Sequence, residues 1–133
     1  MSEKPKVLLL NGSPNGNGCT ATALKIVAET LEKEGVETEI IHVGHKPIRG
    51  CIGCRKCRTK GKCVFDDLVN EVAPKLQACD GVVLGSPVYY ASANGTMVSF
   101  LDRLFYSTPG SRAMQVGAAV VSARRAGTTA TFD

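Results

Sequence analysis

Four short apolar runs dominate the hydrophobic pattern of the chain, and each is followed by a turn that contains glycine or proline. The runs cover residues 6–11, 37–43, 81–86 and 116–122. Runs that are apolar throughout are typical of parallel strands with both faces covered, whereas strands with one solvated face alternate. The pattern therefore predicts four buried parallel strands.

Segments with apolar residues at helical spacing separate these strands. The first covers about residues 20–34 and ends before Gly35, a residue type common just after a helix. The second is expected to begin after Asp66 or Asp67, because an aspartate carboxylate can accept hydrogen bonds from the free amides of a first helical turn. Pro74 lies in the middle of this segment and predicts a kink or a restart there.

The third helix is predicted over about residues 94–106, after Pro87 has ended the third strand. Val98, Leu101 and Phe105 recur at helical spacing, so they are expected to face the core. Strands that alternate with helices predict an α/β fold with a doubly wound parallel sheet. We expect the strand order 2-1-3-4.

The length and composition favour a single domain. The chain has 133 residues, of which 44% are hydrophobic and 21% charged, as in an ordinary globular domain. We predict one domain over residues 1–133, with a cysteine-rich insertion at about residues 44–64. The chain ends at Asp133, where a helix should cover the fourth strand, and natural sheets avoid uncovered apolar edges. We therefore expect a truncated C-terminus.

Membrane-spanning and secretory segments are not expected. The longest apolar run is residues 7–10, far below the roughly 20 residues that span a bilayer. The first six residues, MSEKPK, contain no apolar stretch of the kind that a signal peptide has. We expect a cytoplasmic protein with no membrane partner.

The positive charge is concentrated in one loop. The formal net charge is +4, but seven of the sixteen Lys and Arg residues lie between His45 and Phe65, where no Asp or Glu occurs. Outside this loop acidic residues outnumber basic ones, so a nucleic-acid partner is not expected. The seven basic residues are Lys46, Arg49, Arg55, Lys56, Arg58, Lys60 and Lys62.

A glycine-rich segment, NGSPNGNGCT from Asn11 to Thr20, connects the first strand to the first helix. It ends at a helix N-terminus, whose free amides and positive dipole favour an anion. No Lys-Ser/Thr pair follows the glycines, and their spacing does not match GxGxxG, so neither common nucleotide loop is present. The polar groups of Ser13, Asn15 and Thr20 favour a phosphate that is bound but not transferred. The alternative is a plain turn with Thr20 as the helix cap.

Two adjacent tyrosines follow the third strand, in residues 85–92 (GSPVYYAS). In open α/β sheets, ligands bind beyond the carboxyl ends of the strands, where the strand order reverses. Strands one and three flank that point, so Tyr89 and Tyr90 are expected at the same edge as the glycine-rich segment. Their rings favour a flat ligand ring, the alternative being that they pack on the following helix.

Three motifs together resemble one group of flavoproteins. They are residues 11–14 (NGSP) with 18–20 (GCT), residues 85–90 (GSPVYY) and residues 100–103 (FLDR). The chain resembles the flavodoxin-like NAD(P)H-dependent FMN reductases. Because of its cysteine loop between the second strand and the second helix, it resembles the iron–sulfur flavoproteins among them. The family often has Asn where this chain has Cys19, and its members continue through a fifth strand that is missing here.

The resemblance implies an FMN-binding domain in which the flavin, rather than a side chain, carries the chemistry. Electrons would pass from NAD(P)H or a ferredoxin-type donor to a quinone, a flavin or another small acceptor, in a homo-oligomer of two or four chains. The residues expected to contact FMN lie in three loops: Ser13, Asn15, Gly18, Cys19 and Thr20 in the first, Pro87, Val88, Tyr89, Tyr90 and Ser92 in the second, and Ser122, Ala123, Arg124 and Arg125 in the third.

Four of the six cysteines lie in the basic loop with the spacing C-x2-C-x2-C-x5-C; they are Cys51, Cys54, Cys57 and Cys63. Structural zinc usually uses two C-x2-C pairs separated by a long spacer, whereas three cysteines at successive x2 spacing are typical of an iron–sulfur cluster. The spacing favours a [4Fe–4S] cluster whose negative charge the basic residues would offset. Zinc, and free thiols or disulfides in a lid over the flavin, are the alternatives.

Two alternatives to an enzyme stay open. One is an iron–sulfur flavoprotein electron carrier whose partner is another redox protein, such as a ferredoxin. The other is a redox-sensing domain in which the cysteine loop responds to oxidation or binds a metal. Asp102 and Arg103 are expected to form an oligomer or loop salt bridge rather than to act in catalysis.

Overall fold

The computed structural model describes residues 4–133 and contains a four-stranded parallel sheet. Its strands are β1 (Lys6–Asn11), β2 (Glu37–His42), β3 (Gly81–Tyr89) and β5 (Val116–Ser122), and a two-residue strand β4 (Ser92–Ala93) follows β3. The parallel strands lie in the order β2-β1-β3-β5, and β4 pairs antiparallel with the end of β3. The predicted doubly wound α/β fold and the predicted order 2-1-3-4 are confirmed, with β4 as a small addition. The prediction that all four strands are buried is wrong for β2 and β5, which lie at the two edges of the parallel sheet and contain no buried residue.

Helices lie on both faces of the sheet and cover mainly β1 and β3. They are α1 (Cys19–Lys33), α2 (Cys57–Lys60), α3 (Leu68–Ala78), α4 (Gly95–Ser107) and α5 (Thr128–Phe132). On one face Leu24 of α1 packs with Leu9 and Val83 of the sheet. On the other face α3 and α4 pack on the sheet around Phe100 and Leu76. None of the helices in residues 4–133 combines the length and the apolar character needed to cross a membrane.

The two prolines that predict interruptions lie inside continuous elements. The helix α3 passes through Pro74, which is exposed. The strand β3 continues through Pro87 to Tyr89. The pairing of β3 with β1 ends at Gly85, so Pro87 has no strand on that side that needs its missing N–H. The predicted restart at Pro74 and the predicted strand end at Pro87 are therefore wrong.

The helix α4 presents a different face to the core from the one that its apolar spacing predicts. Leu101 packs against the core as expected, but Val98 and Phe105 are 41% and 45% exposed. Arg103 is also buried, although the spacing of the apolar residues predicts that this charged side chain faces the solvent. The buried apolar residues of α4 are Met97, Phe100 and Leu104.

Candidate functional site

The first loop, between β1 and α1, is held by its own polar side chains. Asn11 Oδ1 accepts a hydrogen bond from the Ser13 N–H at 3.0 Å, and Ser13 Oγ accepts one from the Asn15 N–H at 3.2 Å. Asn15 Oδ1 in turn accepts from the Asn17 N–H at 3.0 Å. Gly18 is the N-cap of α1 and provides no side-chain cap, so the first amides of this helix are available to an anion.

Thr20 joins the first loop to the third. It is a buried residue in the first turn of α1, so the alternative in which it caps the helix is wrong. Its Oγ1 lies 3.0 Å from the Oγ of Ser122 at the end of β5, a residue 102 positions away. Cys19, beside it, is the first residue of α1 and is exposed. The tertiary structure thus brings two of the three predicted ligand loops into contact.

Asn94 joins the second loop to the first, a role that sequence reasoning missed. Its side-chain oxygen accepts from the Met97 N–H at 3.2 Å and so caps α4, and its own N–H donates to Ser86 Oγ at 3.0 Å. Its side-chain amide donates to the carbonyl of Gly12 in the first loop. An asparagine before a helix signals a cap, but no local pattern indicates the contact with Gly12, 82 residues away.

The two tyrosines lie on a sharply turned backbone at the same edge. Tyr90 and Ala91 have φ angles of +51° and +63°, in the left-handed region that non-glycine residues seldom adopt. Tyr90 is fully exposed, so the alternative in which it packs on the following helix is wrong for this residue. With Tyr89, Arg124 and Arg125, these residues line an open groove of about 810 Å³.

Val88 also lines this groove, and the other predicted residues of the second and third loops are close to its lining residues in the sequence. Pro87 and Val88 are in β3, Ser92 is in β4, and Ala123 follows β5. The third loop packs closely on the second, because a side chain at Gly127 would place its Cβ 3.0 Å from Val88 Cγ1. The φ of Gly127 is +95°, which also favours glycine at this position. All three predicted loops therefore meet at the carboxyl edge of the parallel sheet.

Two histidines lie beside the first loop. His42 Nε2 is 2.7 Å from the carbonyl oxygen of Ser13, and the His42 ring stacks on His45 with 4.1 Å between ring centroids. Desolvation, followed by the neighbouring His42 and Lys46, lowers the pKa of His45. The contact with Ser13 supports the interpretation of His42 as a structural residue that holds the first loop against the end of β2.

The four loop cysteines line one pocket, beside α4. Cys51 and Cys54 are exposed, whereas Cys57 and Cys63 are half-buried. The apolar part of the pocket wall comes from Ile52, Val64 and Phe65. The pocket therefore combines four soft sulfur donors with a largely apolar lining.

Within residues 4–133, no three His, Cys, Asp or Glu side chains converge closely enough to hold one metal ion. The four cysteine thiols nevertheless line a single pocket. Thiolate sulfur is a donor that both zinc and iron–sulfur clusters use.

Cys63 is the most firmly held of the four. Asn70 Oδ1 accepts from the Cys63 N–H and Asn70 Nδ2 donates to the Cys63 carbonyl, both at 3.0 Å. Arg103 Nε donates to Cys63 Sγ at 3.4 Å. At the other end of the loop, the Gly53 N–H donates to Cys51 Sγ, also at 3.4 Å.

Arg103 fastens both ends of the cysteine loop. Its side chain is fully buried, and its two terminal nitrogens each donate to a carboxylate oxygen of Asp67 at 2.8 Å. They also donate to the carbonyls of Arg49 at 3.2 Å and Phe65 at 2.9 Å. With the bond to Cys63, all five guanidinium N–H groups have acceptors. Burial by itself would lower the pKa of Arg103, but the hydrogen bonds to Asp67 and Cys63 outweigh it and raise the pKa. The predicted loop salt bridge is confirmed for Arg103.

A further concavity, of about 480 Å³, lies at the opposite edge of the sheet, where the parallel strands begin. Four of its charged residues are paired: Lys6 Nζ is 4.0 Å from Glu37 Oε2, and Lys75 is paired with Glu39. It shares no lining residue with the cysteine pocket or with the groove of the two tyrosines. We assign no ligand to it.

The fold and its ligand edge define a flavodoxin-like domain, and comparison with known families identifies the group within it. A model of the NADPH-dependent FMN reductase family matches residues 5–133. The chain therefore belongs to this family.

Curated relatives carry the name iron–sulfur flavoprotein. The chain is 37% identical to one from Methanocaldococcus jannaschii over 98 residues, which are 74% of this chain and 51% of that protein. It is 39% identical to one from Archaeoglobus fulgidus over 98 residues, 74% of this chain and 48% of that protein. The chain spans about half the length of these relatives.

Solved structures share the fold at low sequence identity. An apo NADH:FMN oxidoreductase superposes with a TM-score of 0.64 at 23% identity, covering 90% of this chain and 59% of that one. An NAD(P)H:quinone oxidoreductase from Methanothermobacter marburgensis gives a TM-score of 0.70 at 16% identity, covering 91% and 68%. RosB with the bound intermediate 8-demethyl-8-formylriboflavin-5′-phosphate gives 0.74 at 16% identity, covering 96% and 55%.

Proposed function

We propose that this chain is a cytoplasmic FMN-dependent oxidoreductase of the iron–sulfur flavoprotein type. One observation carries the proposal: three loops from distant parts of the chain are joined at the switch point of the sheet. The Thr20–Ser122 contact joins the first to the third, and Asn94 joins the first to the second through Gly12. FMN, when bound, supplies hydride acceptance and one- or two-electron exchange, so the protein needs only to bind and orient it.

The first loop is suited to the FMN phosphate. The uncapped amides at the start of α1 would donate to phosphate oxygens, together with the side chains of Ser13, Asn15 and Thr20. The Thr20 hydroxyl can accept from Ser122 and donate to a phosphate oxygen at the same time. Gly18 and Cys19 place the backbone at this turn. A phosphate held mainly by neutral donors is bound rather than transferred.

The second and third loops are suited to the flavin ring. Tyr89 and Tyr90 provide an exposed aromatic surface, and Arg124 and Arg125 line the same groove. Pro87, Val88 and Ser92 would support the ring from the strands on one side, and Ser122 with Ala123 from the other side. This assignment places the ring at the carboxyl edge and the phosphate at the helix N-terminus.

The cysteine pocket is suited to a [4Fe–4S] cluster, held by Cys51, Cys54, Cys57 and Cys63. Besides the four thiols, the pocket is lined by the buried cation of Arg103 and by Arg55, one of the seven basic residues of the loop. Positive charge stabilises a four-thiolate cluster, which is anionic. The name of the curated relatives, iron–sulfur flavoprotein, supports the same assignment.

We further propose NAD(P)H or a ferredoxin-type protein as the electron donor, and a quinone, a free flavin or another small molecule as the acceptor. Two proteins of similar structure are named for NADH or NAD(P)H oxidation. A homo-oligomer would cover the first four residues of β5, which are exposed at the edge of the sheet. Sedimentation velocity of the purified chain, with a monomer as the contrary result, tests the oligomer.

The experiment that tests the function is anaerobic purification followed by a visible spectrum, iron and acid-labile sulfide assays, and FMN titration. We expect two flavin absorption bands, about four iron and four sulfide per chain, and oxidation of NAD(P)H with a quinone present. Thr20→Val should weaken FMN binding, because it removes the donor placed at the phosphate. Thr30→Val is the matched control, since Thr30 lies exposed on the same helix and bonds only to the Ile26 carbonyl. A chain that binds no FMN and reduces no acceptor would refute the proposal.

A second candidate function is electron transfer to a partner protein. It is favoured by the surface around the cysteine pocket, where Ile52 and Tyr106 are exposed among the basic residues of the loop. Such a surface suits an acidic redox protein, because opposite charges speed encounter. Slow NAD(P)H oxidation together with fast reduction by a ferredoxin would favour this carrier over the enzyme.

A further inference from the structure

The hydroxyl of Ser107 is buried in the cysteine pocket without a hydrogen-bond partner. Ser107 is the last residue of α4, is 4% exposed and lines the pocket together with the four cysteines. Its Oγ has no acceptor or donor among residues 4–133. The next residue, Thr108, does what a hydroxyl near a helix end usually does and donates to the carbonyl of Leu104. A buried hydroxyl that forgoes this bond is destabilising unless the pocket supplies a partner.

Arg103 lies one turn earlier on α4, four residues before Ser107, so the two side chains are neighbours on one face of the helix. Arg103 Nε already donates to Cys63 Sγ at 3.4 Å. Among the side chains that line the pocket, only the cysteine sulfurs and the hydroxyl of the exposed Tyr106 can accept a hydrogen bond. The helix α4 therefore presents two donors, one charged and one neutral, to a pocket whose buried side-chain acceptors are mainly sulfur.

We propose that Ser107 Oγ donates an O–H···S hydrogen bond to a sulfur of the iron–sulfur cluster and, together with Arg103 Nε, raises the reduction potential of that cluster. Reduction adds negative charge to the cluster, and hydrogen bonds to its sulfurs stabilise the more negative state more. Ser107 is thus a positioning and tuning residue and not a cluster ligand. This inference rests on the cluster assigned above to the cysteine pocket.

The test is Ser107→Ala in the full chain, purified without oxygen and assayed for iron and acid-labile sulfide. The variant should hold as much cluster as the wild type, since no ligand is removed. Its cluster should be harder to reduce in a potentiometric titration followed by electron paramagnetic resonance. We expect the equilibrium constant for one-electron reduction to fall by about tenfold or somewhat less, and tenfold corresponds to roughly 59 mV. Ser99→Ala is the matched control, because Ser99 lies on the same helix and outside the pocket lining.

Two further measurements separate a direct bond from a structural effect. Resonance Raman spectra should show iron–sulfur stretches that shift in D₂O for the wild type and shift less for Ser107→Ala. Ser107→Thr, which keeps the hydroxyl, should restore the wild-type potential. Without the cluster, Ser107→Ala should melt at or above the wild-type temperature, since the substitution removes an unpartnered buried hydroxyl.

The outcomes are distinguishable. A Ser107→Ala variant with full iron content and an unchanged potential overturns this inference and leaves the proposed function intact. A wild-type chain that binds FMN but no iron overturns the cluster assignment and, with it, the role of Ser107.

Discussion

The buried ion pair between Arg103 and Asp67 makes the firmest quantitative prediction. The Arg103 side chain is fully buried, while the Asp67 side chain is 30% exposed and accepts two hydrogen bonds at 2.8 Å from it. Asp67 Oδ1 also accepts from the Val69 N–H at 3.1 Å, which caps α3. One carboxylate therefore neutralises a buried cation, holds the base of the cysteine loop and starts a helix.

The two substitutions Asp67→Ala and Asp67→Asn separate these roles. Removing the partner of a buried charge typically destabilises a protein by about 3–5 kcal/mol, and losing an N-cap adds about 1 kcal/mol. Asp67→Ala should therefore lower the free energy of unfolding by roughly 4–6 kcal/mol, much of the roughly 5–15 kcal/mol that a domain has. Asp67→Asn keeps the cap and one acceptor oxygen, so we expect a smaller loss of roughly 2–3 kcal/mol.

Urea unfolding followed by far-ultraviolet circular dichroism measures these losses, since the chain contains no tryptophan for fluorescence. Asp102→Asn is the matched control: Asp102 is exposed and adjacent to Arg103, so its substitution should change stability by less than about 0.5 kcal/mol. If Asp67→Asn is as stable as Asp102→Asn, Arg103 does not depend on Asp67, and the reasoning from the buried charge is wrong.

Two further predictions concern the loop junction at Asn94 and the half-buried thiol of Cys79 at the end of α3. Asn94→Ala removes the cap of α4 and the contact with the Gly12 carbonyl. It should lower the free energy of unfolding by about 2–3 kcal/mol in urea titrations and weaken FMN binding. A wild-type free energy of unfolding together with a wild-type affinity for FMN would contradict this prediction. Burial raises the pKa of the Cys79 thiol, so the native state disfavours the thiolate. The neutral thiol therefore contributes to stability below the ordinary thiol pKa, and this contribution is lost as the pH rises through the raised pKa of the folded protein. Stability measured from neutral to alkaline pH should thus fall more steeply for the wild type than for Cys79→Ala, and equal slopes would show that Cys79 does not contribute.

The sequence by itself determined the elements and their order. The strands β1 and β5 begin and end at the residues that the apolar runs predict, and α1 differs from its prediction by one residue at each end. These signals are local: apolar runs form strands, and glycine or aspartate marks where helices begin and end. Parallel strands joined by helices have few possible arrangements. The sequence therefore also predicted the order of the strands and the edge of the sheet at which the three loops lie.

Only the tertiary structure decided which polar groups are buried and what they contact. Arg103 looks like a surface residue in the sequence, yet it lies inside, because Asp67, 36 positions away, meets its charge. Thr20 contacts Ser122, which is 102 residues away, and Asn94 contacts Gly12, which is 82 residues away. The hydroxyl of Ser107 is buried without a partner only because the chain folds around the cysteine pocket. A buried polar group is stable only with a partner, and the partner is supplied by packing between distant segments, which no local pattern of residues records.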